Sequence, residues 1–450
     1  MELKDFLFTP PILVLIYWLA YILRDKHTSY STRGYFIPGL TVKILGAISL
    51  GLVYQFYYQG GDTFNYFTQS EVIHHAFMKN PMDGLRLIVS DGTFQSETFE
   101  YATQIYWYKS PSEFFVIKLA ALFGLFSNHS YSSIAVMFAA FGFSGIWALY
   151  CTFIKIAPEK HFLLALCLLF VPSVFFWGSG LMKDTIAIGG LGWLFYGFYH
   201  CFVLRQNSVQ SWTITIIAIY IIYQVKIYIL LSFLPPAIFW VFLENSKQFK
   251  SVLSRWILKP ILMLMGILFA YLAAANVTEG DAKYDLDNIG KRTKINAEYL
   301  YRISLLQDGS AYYLGELDGS IESMIKTAPN AIVVTLFRPY LWEVNNPLML
   351  LSAIECFVFS IYLLSLAVRP GIRETIRLII GKPIIAFCFT FTLIFSLAVG
   401  LNSYNFGTLV RYKIQLMPFY LGGITLVKHY ARLNNGLPTL PFKFLRSIRT

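Results

Sequence analysis

Charge is scarce in this chain. Of 450 residues only 14% are Asp, Glu, Lys or Arg, while 56% are hydrophobic and 18% aromatic. A soluble protein of two or three domains rarely combines these values, so the composition excludes that class and indicates a polytopic membrane protein. Cysteine is scarce as well. Cys151, Cys167, Cys201, Cys356 and Cys388 all lie within or beside apolar runs with no CxxC spacing, which argues against a disulfide framework or a CxxC metal site and for packing roles. A nucleotide-binding glycine fingerprint, an internal repeat, a low-complexity tract and a soluble domain are all missing. The first apolar run lacks a basic n-region and a small-residue cleavage site, so it reads as a retained helix rather than a signal peptide. Acidic residues are outnumbered 25 to 36 by Lys and Arg, for a net charge of +11. That excess follows the loops of a membrane topology, and no nucleic-acid partner is expected.

What is present is a series of hydrophobic runs. A helix crossing a hydrocarbon core of roughly 30 Å needs about 20 mostly apolar residues. Spans are expected near 8–23, 36–56, 131–154, 161–178, 184–204, 211–225, 227–243, 258–275, 347–368, 383–402 and 408–428. The fold class is therefore all-α, a single membrane domain over 1–450 with about eleven transmembrane helices. Basic clusters mark one side: Arg24, Lys26 and Arg33; Lys247, Lys250, Arg255 and Lys259; Arg369, Arg373, Arg377 and Lys382; and Lys428, Arg432, Lys443, Arg446 and Arg449. Two long connectors, 57–130 and 276–346, carry Asp83, Asp91, Glu97, Glu100, Asp281, Asp285 and Asp287 and are placed outside. The short run FFVIKLAALFGLF at 114–126 would invert the basic loops if it crossed, so it reads as an interfacial or re-entrant helix.

Ionisable residues near a membrane cost several kcal/mol unless paired, solvated or functional, so those outside the basic clusters are informative. They converge on the outer side. Asp62 follows Gly60-Gly61 in YYQGGDTFNYF, either as a plain helix cap or as a reactive carboxylate. In PSVFFWGSGLMKDTIAIG, a Gly-rich turn feeds a helix that opens with Lys183-Asp184, a pattern that favours an anion such as phosphate, against a hairpin with a local ion pair. Lys226 interrupts IIYQVKIYILL and either snorkels to the interface or reaches into a cavity. Arg338 and Glu343 flank Pro339 and Trp342 in TLFRPYLWE, and Glu355 follows within the next span. A rigidified arginine among aromatics suits phosphate or carboxylate, against the reading of an aromatic belt with a basic anchor. Arg411 and Lys413 in GTLVRYKIQLMPF sit on the non-cytoplasmic part of the last span and require an anionic partner.

A carboxylate that takes a proton from an acceptor hydroxyl, beside cations that hold a phosphate leaving group, is what sugar transfer from a polyprenyl-phosphate donor requires. Asp62 is the candidate catalytic residue, and Lys183, Asp184, Lys226, Arg338, Glu343, Arg411 and Lys413 form the candidate substrate-binding set. Tyr57, Tyr58, Tyr66, Trp107 and Trp342 are candidate stacking faces for sugars. Glu71 and His75 share a helical face next to His74, a weak metal pattern that an ordinary interfacial helix explains better. No metal ligand is assigned.

The stretches GGDTFNYF, PSVFFWGSGLMKD, TLFRPYLWE and GTLVRYKIQLMPF resemble the polytopic glycosyltransferases of the GT-C class in its bacterial polysaccharide-assembly branch. The resemblance implies a helical membrane fold, a catalytic acid in the first external loop, which maps onto Asp62, and a polyprenyl-phosphate or -pyrophosphate sugar donor. A glycan or lipid acceptor, membrane lipid as surroundings and a bacterial inner membrane with the site facing the periplasm or exterior are implied with it. Many members carry paired acids where this chain has Asp62 alone, with Glu71 next, and some have a large soluble C-terminal domain that is absent here. No cofactor is therefore assigned, and a divalent cation stays open. External arginines without a soluble domain are also similar to O-antigen polymerases and ligases, which join lipid-linked glycans at the same face. The competing class is a transporter or flippase of lipid-linked glycans, which predicts broken helices and ionisable groups near the bilayer midplane in two pseudo-symmetric halves.

Overall fold

The computed structural model describes residues 2–206, 208–246, 289–306, 310–315 and 318–434. The expected span 258–275, the cluster Lys247, Lys250, Arg255 and Lys259, the acidic residues Asp281, Asp285 and Asp287, and Lys443, Arg446 and Arg449 lie outside the described residues. Among the described residues the architecture is helical, and extended pairing is confined to an isolated bridge between Ala311 and Asn405.

Seven described helices are long and apolar enough to cross a membrane: Leu3–His27, Arg33–Tyr57, Tyr131–Ile156, Lys183–Val203, Val209–Glu244, Pro347–Gly381 and Pro383–Ser403. They form a bundle with two chemically distinct ends. At one end Trp147 donates to the His27 carbonyl, Tyr35 bonds His161, Lys155 bonds His200, Lys382 lies over Tyr430 and Asn434 donates to Glu374. The described basic connectors therefore share that end. At the other end Asp5 accepts from Ser130 and Ser132, and Thr63 bonds Tyr131. Asp62, Lys183, Lys226 and Arg411 lie there too.

Val209–Ser246 is hydrogen-bonded as one helix, but Lys226 leaves helical backbone, and the contacts show that the chain folds back there. An added Cβ at Gly197 would meet Thr215 and one at Gly190 would meet Ile222, while Lys226 reaches Asp184. The first limb therefore runs antiparallel to Lys183–Phe198. Beyond the bend Phe233 packs on Phe198 and Trp240 on Phe195 and Tyr199, so the second limb returns along the same helix. A straight helix of this length would extend roughly 57 Å and could not make both sets of contacts. Residues 209–225 and 227–246 are thus two antiparallel limbs, and Lys226 sits at the apex between them.

Other runs are less regular than expected. The run 161–178 is broken into His161–Leu169 and Pro172–Trp177, and 408–428 is broken by a 3₁₀ turn at Lys413–Gln415 between Phe406–Tyr412 and Met417–Asn434. Pro111–Gly124 stays at one end of the bundle. Its Glu113 pairs with Lys183, and its Gly124 packs against His129, just ahead of Tyr131. Ile372–Gly381 is amphipathic, packing Leu378 inward while Ile372, Ile376 and Ile380 remain exposed, as expected of a helix lying in the membrane interface.

Tyr131–Ile156 and Lys183–Phe198 approach closely because glycines face each other. A Cβ on Gly145 would fall 1.9 Å from the Gly189 carbonyl oxygen, and one on Gly192 would fall 2.0 Å from the Gly145 carbonyl oxygen. Gly145→Ala is expected to lower stability by about 1–3 kcal/mol, read as an earlier unfolding transition in detergent, because only backbone movement relieves the clash.

Candidate functional site at the polar end of the bundle

Gly60 and Gly61 both adopt positive φ, and a Cβ on Gly61 would strike the Tyr54 ring. The turn therefore needs glycine, and it starts the helix Asp62–Lys79 with Asp62 in its first turn. The Asp62 carboxylate reaches across the bundle to Arg411, Nη1 to Oδ2 at 2.8 Å, rather than capping its own helix. Arg411 lies in the last turn of Phe406–Tyr412, a helix capped by Asn405, whose side chain accepts from the Thr408 amide. The arginine's Nε donates to Asp184 Oδ2 at 2.6 Å. Asp184 in turn accepts from Lys226 and, at 3.2 Å, from Gln415.

Four charges thus form one chain, Asp62, Arg411, Asp184 and Lys226, with no net charge. The Asp184 side chain is 0% exposed and that of Asp62 is 43% exposed. The inner pair is structural in character, and the outer carboxylate is the accessible one. Lys226 is not exposed at an interface. It is buried at the hairpin apex, with its ammonium on Asp184 and over the Tyr412 ring.

Arg411 also lines an open cleft of about 570 Å³, within the range of small-molecule sites. Tyr54, Tyr57, Tyr58 and Trp177 supply aromatic surface, Leu300, Ile303, Leu348 and Met349 apolar surface, and Ser304, Ser310, Asn346, Ser352, Asn405 and Thr408 uncharged polar groups. Segment 310–315 is pinned to this wall by the Tyr312 amide on the Tyr404 carbonyl and the Phe406 amide on the Ser310 carbonyl. Of the expected stacking residues, Tyr57 and Tyr58 line the cleft. Tyr66 is buried, Trp107 packs on it, and Trp342 is exposed and stacked on Tyr340.

The remaining expected residues are engaged elsewhere. Lys183 points to Glu113, with Nζ to Oε1 at 2.5 Å, and the turn before it is packed inside, where Ser179, Leu181 and Met182 are fully buried. An anion cannot reach those backbone amides without unpacking the turn. The Arg338 fork is taken by Glu343, through Nε at 2.9 and 3.1 Å and through Nη2, and its guanidinium lies over Phe406. Lys413 is buried, donating to the Arg338 carbonyl and to Cys356 Sγ. Arg338, Glu343 and Lys413 therefore brace the segment behind the cleft wall at Phe406. Sequence reasoning missed Tyr54 and Trp177, whose bulk and position beside Gly61 and the Gly178 break were the available signals. Nothing in the sequence marked Asn346, Ser352 or Thr408.

Burial pushes the Glu113 carboxyl up, but the Lys183 ammonium and the hydroxyls of Ser110 and Ser112 outweigh it and bring it down to about 2 from 4.5. A depressed acid stabilises the fold above its unfolded value and loses that contribution as pH falls towards its folded value. Stability is expected to fall between pH 4.5 and about 2, and Glu113→Gln should flatten that limb in pH-dependent unfolding.

Among the described residues no three His, Cys, Asp or Glu side chains gather to hold a metal ion. Glu71 and His75 do approach, at 3.9 Å, while His74 turns inward against His129. No protein-family model, curated protein or solved structure matches this chain. The fold and site define a polytopic helical membrane protein with an ion-paired, aromatic-lined cleft at one end of its bundle.

Proposed function

We propose that this chain is a membrane glycosyltransferase of GT-C type, which moves a sugar from a polyprenyl-phosphate-linked donor to a glycan or lipid acceptor at the extracytoplasmic face. The observation that carries the reading is the part-exposed Asp62 carboxylate held on Arg411, whose guanidinium lines the cleft. In the reaction the acceptor hydroxyl gives its proton to Asp62 as its oxygen bonds the anomeric carbon. The bond from that carbon to the phosphate oxygen breaks, and the lipid phosphate leaves with the electron pair. Arg411 is the group placed to stabilise that phosphate, and a phosphate competing for its fork releases Asp62 to act as base. The aromatic and hydroxyl-bearing walls suit a sugar, which presents an apolar face and a polar rim.

The expected bilayer orientation puts the basic end in the cytoplasm, with about eleven spans. A joining reaction between lipid-linked repeat units, as in a polymerase, would use the same groups. One observation favours a transporter instead: the run 161–177 is a discontinuous helix with Lys43 and Glu355 buried beside it. The test supplies the purified chain in proteoliposomes with a mixed pool of polyprenyl-phosphate and -pyrophosphate sugars. Release of lipid phosphate or pyrophosphate is expected. Lipid crossing the bilayer without release would favour the transporter.

A further inference from the structure

Two ionisable side chains that the site does not use lie inside membrane-crossing helices. Lys43 is roughly 15 Å into Arg33–Leu52, and Glu355 roughly 12 Å into the helix starting at Pro347. They are 1% and 7% exposed. Neither pairs with the other. Both attach to the same six-residue helix, Pro172–Trp177, at opposite ends.

Glu355 accepts from the Ser173 amide at 2.9 Å and the Ser173 hydroxyl at 2.5 Å. Lys43 donates to the Gly178 carbonyl at 2.5 Å and the Val174 carbonyl at 3.2 Å. A helix interrupted at both ends leaves amides free at its start and carbonyls free at its finish, and in a dry interior both sets require partners. A carboxylate at the amide end and an ammonium at the carbonyl end supply them with the sign the helix dipole favours. Close backbone packing fixes the sideways position, since a Cβ on Gly46 would lie 2.0 Å from the Phe175 carbonyl oxygen.

We infer that Lys43 and Glu355 are positioning residues for the cleft, holding Pro172–Trp177 as a fixed block that sets the cleft wall and the Asp184–Arg411 ion pair. Trp177, the last residue of the block, lines the cleft across from Tyr54, with ring centroids 6.5 Å apart. The buried link that follows, 178–182, delivers Asp184 to Arg411. A shift of the block thus reaches both the aromatic wall and the charge chain, although neither Lys43 nor Glu355 lines the cleft. The inference rests on this geometry and stands whatever the cleft binds.

Hydrogen exchange on the purified full-length chain tests it. In Lys43→Met, amides 178–184 and 406–415 are expected to exchange at least about tenfold faster, while those of 3–27 stay unchanged. Lys43→Arg keeps the donor and should restore most of the protection. Glu355→Gln keeps an acceptor for Ser173 and should raise exchange mainly at 172–177. Unchanged exchange at 178–184 and 406–415 in Lys43→Met would overturn the inference. So would a rise spread evenly over the bundle, or a loss of the fold in every variant, since either marks Lys43 and Glu355 as general packing residues.

Discussion

Asp184→Ala is expected to destabilise this chain by about 3–5 kcal/mol, the largest loss among single changes at the site. Asp184 is 0% exposed and accepts from Lys226, Arg411 and Gln415. Its removal leaves an ammonium and a guanidinium side by side in a buried place, with only the part-exposed Asp62 to balance them. Lys226 also sits at the apex where 209–225 turns into 227–246, so the loss loosens the hairpin as well as the site. Thermal unfolding in detergent reads the effect as a clearly lowered midpoint. A midpoint equal to wild type would contradict the structural role assigned to the inner pair.

Arg411→Met is expected to weaken binding of a short-chain prenyl phosphate by about tenfold to a hundredfold, the value of a lost charge-assisted hydrogen-bond pair. Among the described residues lining the cleft, Arg411 is the charged one. Its partners Asp62 and Asp184 remain as carboxylates, and they repel an incoming phosphate once the guanidinium is gone. Titration of the probe by tryptophan quenching, with Trp177 in the cleft wall, gives the comparison. Unaltered affinity would move the phosphate site away from Arg411. Arg338→Ala should change this affinity much less, because Glu343 already occupies its fork.

The helical membrane class was legible in composition, and most helix positions followed from the apolar runs. Lys226 was read as the boundary between two apolar runs, and the chain leaves helical backbone there, but its pairing with Asp184 was not foreseen. The short run 114–126, expected to be interfacial or re-entrant, forms the helix Pro111–Gly124. What composition could not supply was pairing. Lys183, Arg338, Arg411 and Lys413 read alike as cations near the outer end, yet Glu113 and Glu343 hold the first two, and only Arg411 reaches the cleft. Glu113 meets Lys183 only because its helix packs there, which no local pattern encodes, whereas Glu343 stands five residues from Arg338 in the same segment. Lys43 was invisible for a related reason. A lysine within a hydrophobic run reveals its purpose only when the broken helix beside it is seen.

The most direct test of the central claim, that Asp62 on Arg411 is the base of a lipid-linked sugar transferase, compares wild type with Asp62→Asn. Both are supplied with the same polyprenyl-phosphate sugar pool, and lipid phosphate release is followed alongside probe binding. The account predicts release by wild type and a loss of about a hundredfold or more in Asp62→Asn, with the fold and binding retained. Equal release by the two proteins would contradict it and return Asp62 to the role of a residue that orients Arg411.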